Sequence, residues 1–200
     1  MTHDAGPAAV WRHAHTPVAA HQLASAGCDP ERYAHARGVA QHAARLARAT
    51  HLSRASRAQL LCAAWLHWLG AGATTGRDDR DGPRALRRVG REDLARIVAW
   101  SGAAGALSQL RGSGRLDDEF LLPSGDGAQA LILLDIALVS TDAAGAPATP
   151  AVVLRGLVGR AGPNDPAVVA FVGLVADLSD HQDARVLMEL LVPLAGAIGA

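Results

Sequence analysis

Three residues in this 200-residue chain have the types and placement to hold a metal: His35, His67 and Asp135. The first stands in "RYAHARGVAQHAARLA", the second in "LLCAAWLHWLG", the third in "AQALILLDIALV". Asp135 has four apolar residues on either side, and a carboxylate drawn into such a run needs a cation, a donor or a metal. The only basic residues near it in sequence are Arg111 and Arg115, so its partner must come from elsewhere in the fold. His67 sits in a helix that is apolar nearly all round and needs a partner for the same reason. Two imidazoles and a carboxylate on three central helices make a hard-to-borderline donor set. Each residue also has a purely structural use. His35 and His42 would be boundary histidines bonded to neighbours, His67 a satisfied core histidine, and Asp135 a cap or the partner of an arginine.

Helices must position these groups. On a 3.6-residue period, His35, Val39, His42 and Leu46 form one narrow stripe, with Ala36, Ala40, Ala43 and Ala47 filling the adjoining arc. Arg37, Gln41, Arg45 and Arg48 lie opposite, which puts both histidines on the margin of the buried face. Helix starts recur as a cap residue followed by proline: Thr16-Pro17, Asp29-Pro30, Thr149-Pro150 and Asp165-Pro166. The pattern predicts helices near 17–26, 30–51, 54–69, 83–89, 91–100, 104–111, 126–141, 150–160 and 166–198, the last interrupted around Leu178–Asp183 or Pro193. No segment shows sustained strand alternation, so the fold class is all-α, a bundle of about 7–9 helices. Three loops stand out: "GAGATTGRDDRDGP" (70–83), "RGSGRLDDEFLLPSGDG" (111–127) and "DAAGAPA" (142–148). The first two are long, polar and Gly-rich, as loops around a site often are.

Composition narrows the function. Half the residues are hydrophobic, enough for a sizeable core. The 19 basic residues, all arginine, balance 19 acidic ones, which leaves no electrostatic footprint for nucleic acid and no polybasic strip for a membrane surface. The apolar runs are broken by Asp135, Glu189 and Pro193, and the N-terminus has neither a basic start nor an apolar core. Cys28 and Cys62 are too few for a disulfide framework, and a soluble, cytoplasmic protein is expected. A serine-hydrolase elbow, a Walker loop and a dinucleotide-binding glycine motif are all missing.

The order and spacing of "RYAHARGVAQHAARLA", "LLCAAWLHWLG", "DGPRALRRVG", "IVAWSGA" and "LRG", spread over roughly residues 30–140, resemble the HD-domain superfamily of metal-dependent phosphohydrolases, most nearly its short bacterial members. The resemblance implies an HD-like domain over 29–142, preceded by an N-terminal helix in 1–28 and followed by C-terminal helices in 143–200 that pack on the same core. It makes His35, His67 and Asp135 the metal ligands. Where the family has the Asp of its His-Asp pair, this chain has Trp68, whose indole offers only an N–H donor. Asp78 takes the place of a family histidine and is an auxiliary ligand or a solvated loop residue; Trp100 takes the place of a His-His pair before Ser101-Gly102. Arg77, Arg80 and Arg84 would contact an anion.

Two functions follow from the resemblance. One is a degenerate member with impaired or lost hydrolysis and a binding or regulatory role, in which Trp68 and Trp100 plug the former cleft or line a pocket for a flat aromatic ligand. The other is an active phosphohydrolase that acts on a nucleotide or other phosphate ester through a reduced site. The site would hold one divalent ion (Mn, Fe, Zn or Ni) or none, with a small phosphorylated or flat aromatic ligand. The apolar C-terminal helices would either complete the core or form a homo-oligomer interface.

Overall fold

The computed structural model describes residues 16–68, 81–101 and 119–178. Eight helices are present in this part of the chain: α1 (Pro17–Gly27), α2 (Pro30–Ala49), α3 (Arg54–Leu66), α4 (Asp81–Arg88), α5 (Glu92–Trp100), α6 (Asp126–Val139), α7 (Pro150–Ala161) and α8 (Pro166–Leu178). Among the described residues there is no strand, only an isolated antiparallel bridge between Thr141 and Pro147. The all-α expectation holds. The helix expected at 104–111, and the part of the last helix beyond 178, lie outside the described residues.

The helix starts are where cap chemistry puts them. The Thr16 side chain accepts from the Ala19 N–H at 3.2 Å, and Asp29 accepts from the Arg32 N–H at 2.9 Å. Ser53 accepts from the Ser56 N–H at 3.0 Å. The Asp126 carboxylate fastens two helix starts together: it accepts from the hydroxyls of Ser53 at 3.0 Å and of fully buried Ser56 at 2.6 Å, while itself opening α6.

Two helices organise the bundle. α3 packs on α1, α2, α5 and α6, and α6 packs on α2, α3, α5, α7 and α8. Each has apolar residues on nearly every side, as a helix with several neighbours requires. One apolar cluster takes residues from all eight helices, from Ala20 of α1 through Leu60, Leu94 and Leu134 to Phe171 of α8. The alanine arc of α2 is buried as the periodicity predicts, at Ala36, Ala40, Ala43 and Ala47. None of the described helices is long and apolar enough to cross a membrane.

An arginine–glutamate network holds the segment at 119–120 against α4 and α5. Arg84 makes a two-bond fork with Glu119 (2.5 and 2.8 Å), and Arg87 bonds Glu92 at 2.7 Å and the Glu119 carbonyl. The Arg87 guanidinium lies 4.0 Å from the centroid of the buried Phe120 ring.

Candidate functional site

α2 and α3 bring His35 and His67 together, with ring centroids 5.5 Å apart at 66°. What fixes each ring is a backbone carbonyl. The half-buried His35 donates from Nδ1 to the Asp142 carbonyl at 2.6 Å. His67, at the end of α3, donates from Nδ1 to the Ala64 carbonyl at 2.8 Å. A carbonyl only accepts, so the proton sits on Nδ1 in both rings, and in the neutral imidazoles Nε2 carries a lone pair. This is the arrangement that readies a histidine as a ligand or an acceptor. The Nε2 of His67 is buried and has no hydrogen-bond partner among the described residues. Burial, with a smaller push from His35, carries its pKa down to about 3 against the opposing bond to Ala64, so the ring stays neutral at physiological pH.

The carbonyl that orients His35 comes from the loop 141–147, seated on α2 by two glycines. Gly145 has φ +84°, and a Cβ there would run into the Ala34 carbonyl oxygen. A Cβ on Gly38 would meet the Gly145 carbonyl oxygen, and would lie 2.7 Å from both the Gly145 Cα and the Thr141 Cγ2. The loop is self-braced, with Asp142 accepting from Gly145 N–H at 3.0 Å on its carbonyl and from Ala146 N–H at 2.7 Å on its carboxylate. In the sequence "DAAGAPA" is simply a loop; the signal that ties it to the site is Gly38, an unfavourable residue in the middle of an alanine-rich helix.

Trp68 completes the cluster. Its ring stands edge-on to His35 at 5.4 Å and 88°, and tilted against His67 at 5.6 Å and 53°. Its indole N–H is buried and has no partner among the described residues. The Arg32 guanidinium, paired with Asp29 at 3.3 Å, lies 5.8 Å from the Trp68 ring centroid. A second aromatic group adjoins on α1, α2 and α3. His21 Nε2 bonds the Tyr33 hydroxyl at 2.9 Å, and the His21 ring lies 4.6 Å from that of Trp65.

The other predicted residues are placed as follows. Asp135 lies on α6, partnered and half-buried, because it falls on the partly covered stripe with Leu131, Ile132 and Val139 rather than on the sealed face of Leu134 and Ile136. Trp100 is buried, and its indole N–H donates to the Phe120 carbonyl at 2.9 Å. Arg84 is engaged by Glu119. Asp78, Arg77 and Arg80 lie outside the described residues. His42 is half-buried, and burial, followed by the nearby Arg45, lowers its pKa.

Among the described residues no three His, Cys, Asp or Glu side chains come together in a way that could hold a metal ion. The histidine pair supplies two donors, and the residue packed on both rings is an indole, which cannot coordinate a hard cation. The described residues thus give two imidazoles and an indole where the HD resemblance implies a His-Asp pair and a second His. No protein-family model, curated protein or solved structure matches the chain.

Proposed function

We propose that this chain is a degenerate HD-domain protein that has lost metal-dependent phosphate-ester hydrolysis and keeps its histidine pair as a binding site. One observation carries the reading: the Trp68 indole packs on both His35 and His67, at the position where the resemblance puts a metal-ligating carboxylate. A hydrolase of that class needs a cation to polarise a water and to offset charge on the phosphoryl oxygens. Here a neutral, buried imidazole at His67 stands beside His35, and an indole takes the third place. Arg84, expected to draw an anion, has Glu119 as its anion. The two free thiols, Cys28 and Cys62, suit the reducing cytoplasm.

The test is metal content by mass spectrometry on the purified native chain, on Trp68→Asp and on Asp135→Asn. The native chain is expected to be metal-free and indifferent to added Mn, Fe, Zn or Ni. Trp68→Asp, which recreates the family's His-Asp pair, should gain a divalent ion. Stoichiometric metal in the native chain, lost in Asp135→Asn, would sink the proposal and favour an active phosphohydrolase.

A further inference from the structure

We infer that the Trp68 indole is a displaceable cover over the His35–His67 pair, and that the ligand it yields to is a flat, neutral molecule carrying N–H donors, of which an aryl carboxamide is the simplest. The inference rests on the reading above, that the pair binds rather than hydrolyses.

Three observations converge on it. First, polarity: both Nδ1 atoms are committed to carbonyls, at 2.6 and 2.8 Å, and the buried, neutral His67 can therefore only accept at Nε2, so a ligand that reaches it must bring the hydrogen. An anion would meet that lone pair. A cation would have to shed its hydration beside His67 Nε2, which is shut off from water. Second, shape: the group now filling the place is a planar ring in edge contact with one histidine and tilted contact with the other. Third, the cover is not held by a hydrogen bond of its own. Trp68 follows His67, the C-cap of α3, so it stands beyond the helix, and its buried N–H has no acceptor among the described residues. An orphaned donor favours any arrangement in which it reaches water or a ligand oxygen. A carboxamide supplies both halves of the exchange, since its NH2 donates to Nε2 and its carbonyl can accept from the displaced indole N–H.

The experiment is an NMR titration of the full chain, labelled at the histidine ring nitrogens and the tryptophan indoles, with benzamide, benzoate and benzamidine as matched neutral, anionic and cationic probes. Benzamide should move the Nε2 resonances of His35 and His67 and the Trp68 indole N–H, and should bind more tightly than either charged probe. Removing the cover in Trp68→Ala should tighten benzamide roughly tenfold, the factor for a site uncovered about a tenth of the time. Trp68→Phe, which keeps a ring without the orphaned donor, should bind benzamide more weakly than Trp68→Ala and guards against loss of fold in the smaller variant. Tighter binding of benzoate, an unchanged or weaker benzamide affinity in Trp68→Ala, or resonances unmoved by benzamide in native and Trp68→Ala protein alike would overturn the inference. Metal uptake by the native chain defeats the preceding proposal as well, whereas a metal-free chain indifferent to benzamide defeats only this one.

Discussion

Replacing Gly38 with alanine tests whether the 141–147 loop holds the site. In most helix interiors this change is favourable, by about 1 kcal/mol, because alanine has less freedom to lose. At position 38 the new Cβ meets the carbonyl oxygen and Cα of Gly145 and the Thr141 methyl, and two of those three atoms are backbone. Backbone of a braced loop does not yield by rotating a side chain, so the strain belongs at the upper end of overpacking, ~3 kcal/mol. Lifting the loop also removes the His35–Asp142 bond, which adds ~1 kcal/mol. Against the helix gain of ~1 kcal/mol, the net loss is ~3 kcal/mol. Gly159→Ala is the matched control, because that glycine is exposed in α7 with nothing within 4 Å of a new Cβ. It should stabilise by ~0.5–1 kcal/mol. Urea unfolding of the two variants, with the His35 ring protons followed by NMR, reads both effects. If Gly38→Ala is as stable as the native chain, or keeps the His35 Nδ1 proton in place, the loop does not position His35 and the fixed tautomer loses its cause.

Further outcomes follow from the same contacts. His67 is held at about 3 when folded and returns to an ordinary value near 6.5 when unfolded, so the unfolded chain binds the extra proton. Its contribution is therefore complete above pH 6.5 and is lost as pH falls toward 3, by at most ~1.4 kcal/mol per unit; acid unfolding of His67→Gln should be correspondingly flatter. Ser56→Ala removes a 2.6 Å bond from a buried hydroxyl to the Asp126 carboxylate and should cost ~1.5–3 kcal/mol in thermal or urea unfolding. Burial lifts the Cys62 thiol to about 11, so a thiol reagent at pH 8 should leave it unlabelled until the chain unfolds. Rapid labelling of Cys62 in the native chain would contradict its buried place in α3.

Local signals carried most of the helical frame. The cap-proline pairs at Asp29-Pro30 and Thr149-Pro150 mark true helix starts, and the alanine arc of α2 is buried because side chains three and four residues apart share a face. Local signals also ran α3 on to residue 69, because "WLHWLG" continues the apolar pattern; the helix stops at Leu66, with His67 as its C-cap. That difference frees Trp68 from the helix and lets it turn onto both histidines. The remaining misses are long-range. His35 is oriented by a carbonyl 107 residues away, Ser56 by a carboxylate 70 away, and Arg84 by Glu119, 35 away. No periodicity encodes such a partner, so Arg84 looks like a free anion contact when only its own neighbourhood is read.

On the proposed reading, an indole at position 68 does more than leave out a ligand. A carboxylate beside His35 and His67 would add negative charge to two lone pairs, and that set demands a cation; with a cation present, a phosphate has something to bind. An indole adds no charge and presents a hydrogen where the carboxylate presented oxygen. The Ala64 carbonyl holds the His67 proton on Nδ1, and burial keeps that ring neutral, so its Nε2 is an acceptor. On the proposed reading the site keeps this acceptor without the charge that a phosphate-ester site needs. What matches a fixed acceptor at His67 beside an orphaned donor is a neutral group with a hydrogen to give and one oxygen to offer. The carboxamide titration follows from that polarity, and it tests whether the Trp68 side chain, rather than either histidine, controls access to the pair.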